Sequence, residues 1–213
     1  MNVTNKRIIR IVVYGIAAYL CFFVVVCIMR HYARKGVEEK FLTAEPGDIF
    51  TRPNSNLLPG SEERFWGGLT GHVAIVVKGG VFSNMDENLG GIEVVEARLY
   101  NRYPISYKNR IVRNKASVHF GKRYIGRRYF LKMHINEKEM SNMCNFIDRE
   151  KGKHYNLFSS KEDTTIYNCA TFVRRLFLET MNYDIDCNKG SVIFPNDIIN
   201  NPIFDTTDNR VRF

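Results

Sequence analysis

One stretch constrains the architecture more than any other. Residues Ile11 to Met29, IVVYGIAAYLCFFVVVCIM, are 19 consecutive uncharged and mostly apolar positions. As a helix rising 1.5 Å per residue, such a run matches a bilayer core of about 30 Å. A cleaved signal would carry a shorter apolar stretch and a small-x-small site, whereas this run ends in the dense positive cluster MRHYARKG. A lipoprotein signal needs small residues before a cysteine, and Cys21 is preceded by Ala18-Tyr19-Leu20. A core helix is rarely apolar on every face for five turns. The expectation is therefore an uncleaved single-pass transmembrane anchor over 11–29. A tail precedes it at 1–10, a charged juxtamembrane spacer read as helical follows at 30–43, and one domain fills 44–213. Basic residues flank both ends, so the positive-inside comparison leaves the orientation open.

The charge divides along the same boundary. Of the net +9, residues 1–40 hold +5, from seven basic side chains against Glu38 and Glu39, and the remainder holds +4. Cations beside an apolar run suit anionic headgroups. The remaining +4 is too small to argue for nucleic acid. The basic and aromatic stretch GKRYIGRRYFLK reads as an exposed strand face rather than an RNA surface.

After Pro46 and Gly47 the chain reads as short strands and turns. Asp48–Arg52 starts a strand, and a polar loop with Asn54, Ser55, Asn56, Pro59 and Gly60 follows. The β-branched run His72–Lys78 stops at Gly79-Gly80, and SNMDENLGG turns the chain into Ile92–Ala97. Weaker strand signals lie near Ile111–Val112, Val118–Phe120 and Arg128–Met133. Two helices follow. Asn136 and Glu139 form a capping-box pattern ahead of Met140, Met143, Cys144 and Ile147, with Gly152 closing the helix. The second runs from Cys169 to about Met181, with Phe172, Val173, Leu176, Phe177 and Met181 on one face. Strands first and helices grouped after them predict an α+β fold built on an antiparallel sheet.

Five cysteines are present: Cys21, Cys27, Cys144, Cys169 and Cys187. No CxxC pair exists, so a zinc or thioredoxin-type site has no support. Cys144 is read as part of a buried stripe, and its pairing with Cys187 stays open. Cys169 stands where a polar turn gives way to an amphipathic helix. Unpaired N–H groups at such a position favour a thiolate and can hold an oxyanion. Read by position alone, Cys169 is also a small buried residue facing the core. Among the histidines, His31 flanks the apolar run, and His119, His134 and His154 have no distinguishing context. His72 opens a strand after Thr70-Gly71, where a side chain can point into a cleft. Alternation places Glu96 on one face with Val94 and Ile92. A hairpin between the two strands would bring Glu96 to the far nitrogen of His72, the third role of a triad.

The series GDIF, GHVAIVV, VVEA, YNCATFV and FPNDII resembles the permuted papain-like amidases of the YaeF/YiiX group, within the superfamily of NlpC-type cell-wall peptidases and related to the lecithin retinol acyltransferases. In that group the histidine strand precedes the cysteine helix, as here. The resemblance spans roughly residues 44–200. It implies a circularly permuted papain-like (NlpC-type) sheet or barrel with packed helices, with Cys169 as nucleophile, His72 as base and Glu96 as orienting acid. Gly47-Asp48-Ile49 matches the opening strand, Gly152 with Tyr155 the G-x-x-Y element, and Pro195–Ile198 the closing P-x-D segment. Tyr155 and Tyr167 are the candidate substrate-binding residues. Two departures are Gly71 before the histidine, where many relatives carry Ser, and Ala170-Thr171 after the cysteine, where many carry Ser-Glu.

The resemblance implies a cysteine hydrolase cleaving an amide bond in peptide or cell-wall material, with no metal or organic cofactor, and the charge partition argues against a nucleic-acid partner. It implies a catalytic domain on the extracytoplasmic side of the membrane. Two alternatives stand beside it: a lipid acyl hydrolase or acyltransferase of the retinol acyltransferase type, and a non-catalytic binding module on the same fold.

Overall fold

A computed structural model describes residues 3–34, 38–52, 71–86, 88–102, 105–121, 128–188, 190–206 and 208–212. The polar loop at 54–60 and the basic stretch at 122–127 lie outside these residues. The chain forms two units, Met1–Gly36 and Val37–Phe213.

The first unit is one helix, α1 (Val3–Arg34), 32 residues long. Ile11, Val12, Val13 and Tyr14 are all exposed. Four consecutive positions at 100° steps go most of the way round the axis, so this helix has no inward face within its unit. Positions 23, 26 and 29 of the apolar run have side chains outside the described set. Among the described residues no helix is long and apolar enough to cross a membrane.

The second unit is α+β, as the order of elements predicts. Its strands are β1 (Phe41–Ala44), β2 (Ile49–Arg52), β3 (His72–Lys78), β4 (Gly80–Ser83), β5 (Glu93–Arg102), β6 (Ile105–Lys115), β7 (Tyr129–Leu131), β8 (His154–Tyr155), β9 (Ile166–Tyr167) and β10 (Arg210–Arg212). Its helices are α2 (Ser117–Phe120), α3 (Glu137–Glu150), α4 (Cys169–Met181) and α5 (Pro195–Ile199). The main sheet has the order β10-β7-β2-β3-β5-β6-β8-β9, and β1 pairs with β4 in a second, two-stranded sheet. Every pairing is antiparallel except β8 with β9.

The unbroken apolar run in β3 has a physical reason: both of its faces are covered. Val73 and Ile75 join Val95, Phe172, Val173 and Leu176 in one core, while Ala74 and Val76 join Phe50, Val94, Phe120 and Phe130 in another. A half-exposed strand would have alternated. Gly47 turns the chain into β2 with φ +98, and a Cβ there would lie 2.5 Å from Ile135 Cδ1. The following Asp48 is fully buried, its two oxygens accepting the N–H groups of Met133 and Glu45 at 2.8 Å each. The GDI pattern is thus a structural clamp between β2 and the segment after β7.

α3 has the expected cap. Asn136 and Glu139 exchange side-chain to backbone bonds of 2.9 and 2.8 Å, and Gly152 follows its end at φ +85. The phase of α3 differs from the sequence reading. Met143, Phe146 and Glu150 are buried, while Cys144, one step of about 100° away, is exposed. Three other expectations are corrected. The spacer is not one helix: α1 ends at Arg34, and Phe41–Ala44 pairs as a strand with β4, itself unforeseen. Residues 118–120 are helical, because the chain reverses after β6 and seats Phe120 in the second core. The Ile92–Ala97 strand extends to Arg102.

Candidate active site

α4 begins where its cap dictates. Asn168 accepts the N–H groups of Ala170 and Thr171 at 2.8 and 2.7 Å, and Thr171 Oγ1 accepts the Asn168 N–H at 2.8 Å. Ser159 Oγ takes the same Asn168 N–H, also at 2.8 Å. The cap engages the second and third N–H groups of the helix and leaves that of Cys169 outside it. Thr171 is the reciprocal partner of this capping box. Cys169, at the first position of the helix, is 6% exposed.

Cys169 acts on the His72 imidazole and raises its pKa. The ring Nε2 lies 2.6 Å from Glu96 Oε2. This leaves Nδ1 as the ring nitrogen that Glu96 does not engage. The register explains the meeting. β3 and β5 run antiparallel with Ile75 opposite Val95 and Val76 opposite Val94. Extended towards the start of β3, it sets Ala74 against Glu96 and His72 against Arg98, all on one face. Phe120 stacks on the His72 ring at 5.7 Å between centroids.

Glu96 is fully buried in a central strand rather than at a solvated edge. Its second oxygen, Oε1, lies 3.0 Å from Arg98 NH1 and accepts a 3.0 Å bond from Asn114 Nδ2. Burial pushes its carboxyl up, and the fields of His119, His72 and Arg98 outweigh burial and hold it below the usual carboxylate range. With Glu96 ionised, His72 Nε2 carries the proton between them. Burial opposes the charged imidazole, but the bonds to Cys169 and Glu96 exceed it and lift His72 from 6.5 to about 8.

Three members of this network escaped the sequence reading. Arg98 stands two residues after Glu96, so alternation alone placed it on the same face. Asn114 reaches Glu96 from β6. His119, buried on α2, has its ring centroid 4.6 Å from that of His72, and its Nε2 lies 3.1 Å from Arg98 NH1. Burial pulls its pKa down to about 3, so it is neutral near pH 7, where His72 and Arg98 supply the positive field around Glu96. No local pattern marks His119.

His72, Glu96 and His119 bring one ligand atom each within 4.8 Å of one another, a spacing that three metal ligands would share. The cation in that niche is the Arg98 guanidinium, whose NH1 touches both Glu96 Oε1 and His119 Nε2. The donor set is occupied by a side-chain charge and does not fit a metal ion.

The remaining candidates fall elsewhere. Tyr167 is 1% exposed, and its hydroxyl donates to Glu150 Oε2 at 2.7 Å. Tyr155 packs half-buried against the first core beside it. Cys144 and Cys187 are exposed, and all five cysteines are free. His134 and His154 are exposed.

No protein-family model matches this chain, and no curated protein matches it. Among solved structures it is similar to the crystal structure of metalloprotein YiiX from Escherichia coli O157:H7. The identity is 12% and the TM-score 0.47, over 79% of this chain and 96% of that one. A likeness this distant does not assign a family.

Proposed function

We propose that this chain is a cysteine hydrolase of the permuted papain-like type, with Cys169 as nucleophile, His72 as base and acid, and Glu96 as orienting carboxylate. The observation that carries the reading is the buried His72–Glu96 hydrogen bond, with Cys169 buried at the start of α4 and acting on the same imidazole. The one proton that Cys169 and His72 share rests on Nδ1 of His72 as the thiolate attacks a carbonyl carbon. The Cys169 N–H, outside the helix cap, is available to the oxyanion. Collapse forms an acyl-thioester and expels an amine that receives the proton from His72. Water then attacks the thioester, giving its proton to the same nitrogen and releasing the acid and the thiol.

The bond attacked is proposed to be a peptide amide of cell-wall type. Residues 11–29 are proposed to anchor the domain in a membrane, supported by their uninterrupted apolar sequence and by exposed apolar positions around α1. The test is incubation of the full chain with a soluble muropeptide digest and with phospholipid vesicles, read by mass spectrometry. Amide cleavage by the native chain and not by Cys169→Ala supports the proposal. Fatty-acid release from vesicles alone moves the assignment to a lipid acyl hydrolase. No product from either leaves a binding module and overturns it.

The same assay carries a pH prediction. His72 must hold a proton to expel the amine, so turnover is expected to fall on the alkaline side with a midpoint near pH 8. The stability linkage has the same sign. The folded value lies above 6.5, so the contribution is full below pH 6.5 and disappears as pH rises through about 8.

A further inference from the structure

β5 and β6 carry a charge arrangement that the triad does not use. Arg98 stands directly opposite Arg110 in their register. Like charges facing each other across a strand pair destabilise a sheet, and natural sheets compensate them. Arg98 has one acid, Glu96; Arg113 has Glu93 at 2.6 Å. Lys108, Arg110 and Lys151 have no acidic partner among the described residues. All five cations line one cleft of about 510 Å³, together with Asn114, and no carboxylate lines it. Arg98 is 3% exposed, and its Nε has no hydrogen-bond partner. That guanidinium, on a residue of the cleft lining, therefore retains one unmet donor.

The cleft stands apart from the reacting sulfur. Glu96 turns Oε2 to the His72 ring and Oε1 to Arg98 and Asn114, so the cleft adjoins the Oε1 side and Cys169 the other. An oxyanion carrying more than one negative charge answers this lining better than a monovalent ion, because charge-assisted bonds from guanidinium and ammonium groups are roughly twice as strong as neutral ones. The volume falls in the range of small-molecule sites.

From the opposed arginines and the cleft whose charged lining is entirely cationic, we infer that this is a binding site for a phosphate group, either free phosphate or the phosphate of a lipid headgroup. The site adjoins the triad through Arg98 and Asn114. It stands beyond the hydrolase reading, because binding needs no chemistry at Cys169.

The test is calorimetric titration of the full chain, in neutral detergent, with inorganic phosphate and separately with glycerol 3-phosphate, against chloride at equal ionic strength. Saturable binding is expected in the native chain and equally in Cys169→Ala, which separates this site from any failure of the triad. Lys108→Gln with Arg110→Gln is expected to weaken binding by at least about tenfold, since each charged hydrogen bond accounts for about one decade or more. Thermal unfolding of the double variant without phosphate checks that it folds. Tighter binding of glycerol 3-phosphate identifies a headgroup, and equal or weaker binding identifies free phosphate. Heat indistinguishable from chloride, or an unchanged affinity in the folded double variant, overturns the site.

Discussion

Cys169→Ala is expected to abolish labelling by an acyl-type electrophilic probe and to lower turnover by at least about 10³-fold, while Cys144→Ala leaves both unchanged. The contrast is decisive because burial predicts the opposite order. Cys144 is exposed on α3, whereas Cys169 is 6% exposed at the start of α4. If accessibility governed reactivity, Cys144 and Cys187 would be labelled first. Only a sulfur paired with an imidazole can be both the less accessible and the more reactive thiol. His72→Ala is expected to give the same loss of labelling, because it removes the group that takes the thiol proton. Probe mass on Cys144 or Cys187 at a rate equal to that on Cys169 would remove the nucleophile assignment. So would turnover retained in folded Cys169→Ala.

What the sequence disclosed follows from which interactions are local. The limits of α4 are legible because the three- and four-residue spacing of Phe172, Val173, Leu176 and Phe177 is a short-range fact. β3 was legible because both of its faces are buried, which makes an unbroken β-branched run. Alternation and antiparallel pairing of the two strands predict that His72 meets Glu96, and the register brings them together.

The failures are long-range. Val118 and Phe120 have strand propensity, yet the chain reversal after β6 makes them helical, and this delivers His119 to the His72 ring. Cys144 was misphased because Met140, Met143 and Ile147 define a stripe whose centre depends on which neighbour α3 packs against. β1 and β4 pair over a separation of about 40 residues that no local pattern encodes. Arg98 lay within reach of the alternation argument. Its identity as the cation between Glu96 and His119 needed the fold.

Glu96→Gln separates the orienting role of the carboxylate from its packing. The substitution keeps shape and hydrogen-bonding atoms while removing the charge, and two consequences follow. At His72, burial already opposes the charged ring, and Glu96 is one of the two groups that outweigh it. Without that carboxylate the pKa falls from about 8, so the alkaline limb of turnover moves to lower pH. An amide can also present N–H to Nε2, which puts the ring proton on Nδ1, where it cannot accept the thiol proton. Turnover is expected to fall by about 10²–10⁴-fold. At Arg98 a buried guanidinium loses its acid, a change that costs about 3–5 kcal/mol when one partner of a buried pair is removed.

The two effects are separable. Glu96→Gln with Arg98→Gln removes both charges, and replacing a whole buried pair is frequently close to neutral in stability. This double variant is expected to recover most of the melting temperature and none of the turnover. Recovery of turnover together with stability would mean that Glu96 acts only by packing. A folded Glu96→Gln chain with native rate and a native alkaline midpoint would remove the carboxylate from the mechanism altogether. The reading rests on the physical difference between a charge that holds an imidazolium and an atom that fills a space, and the pH midpoint measures that difference directly.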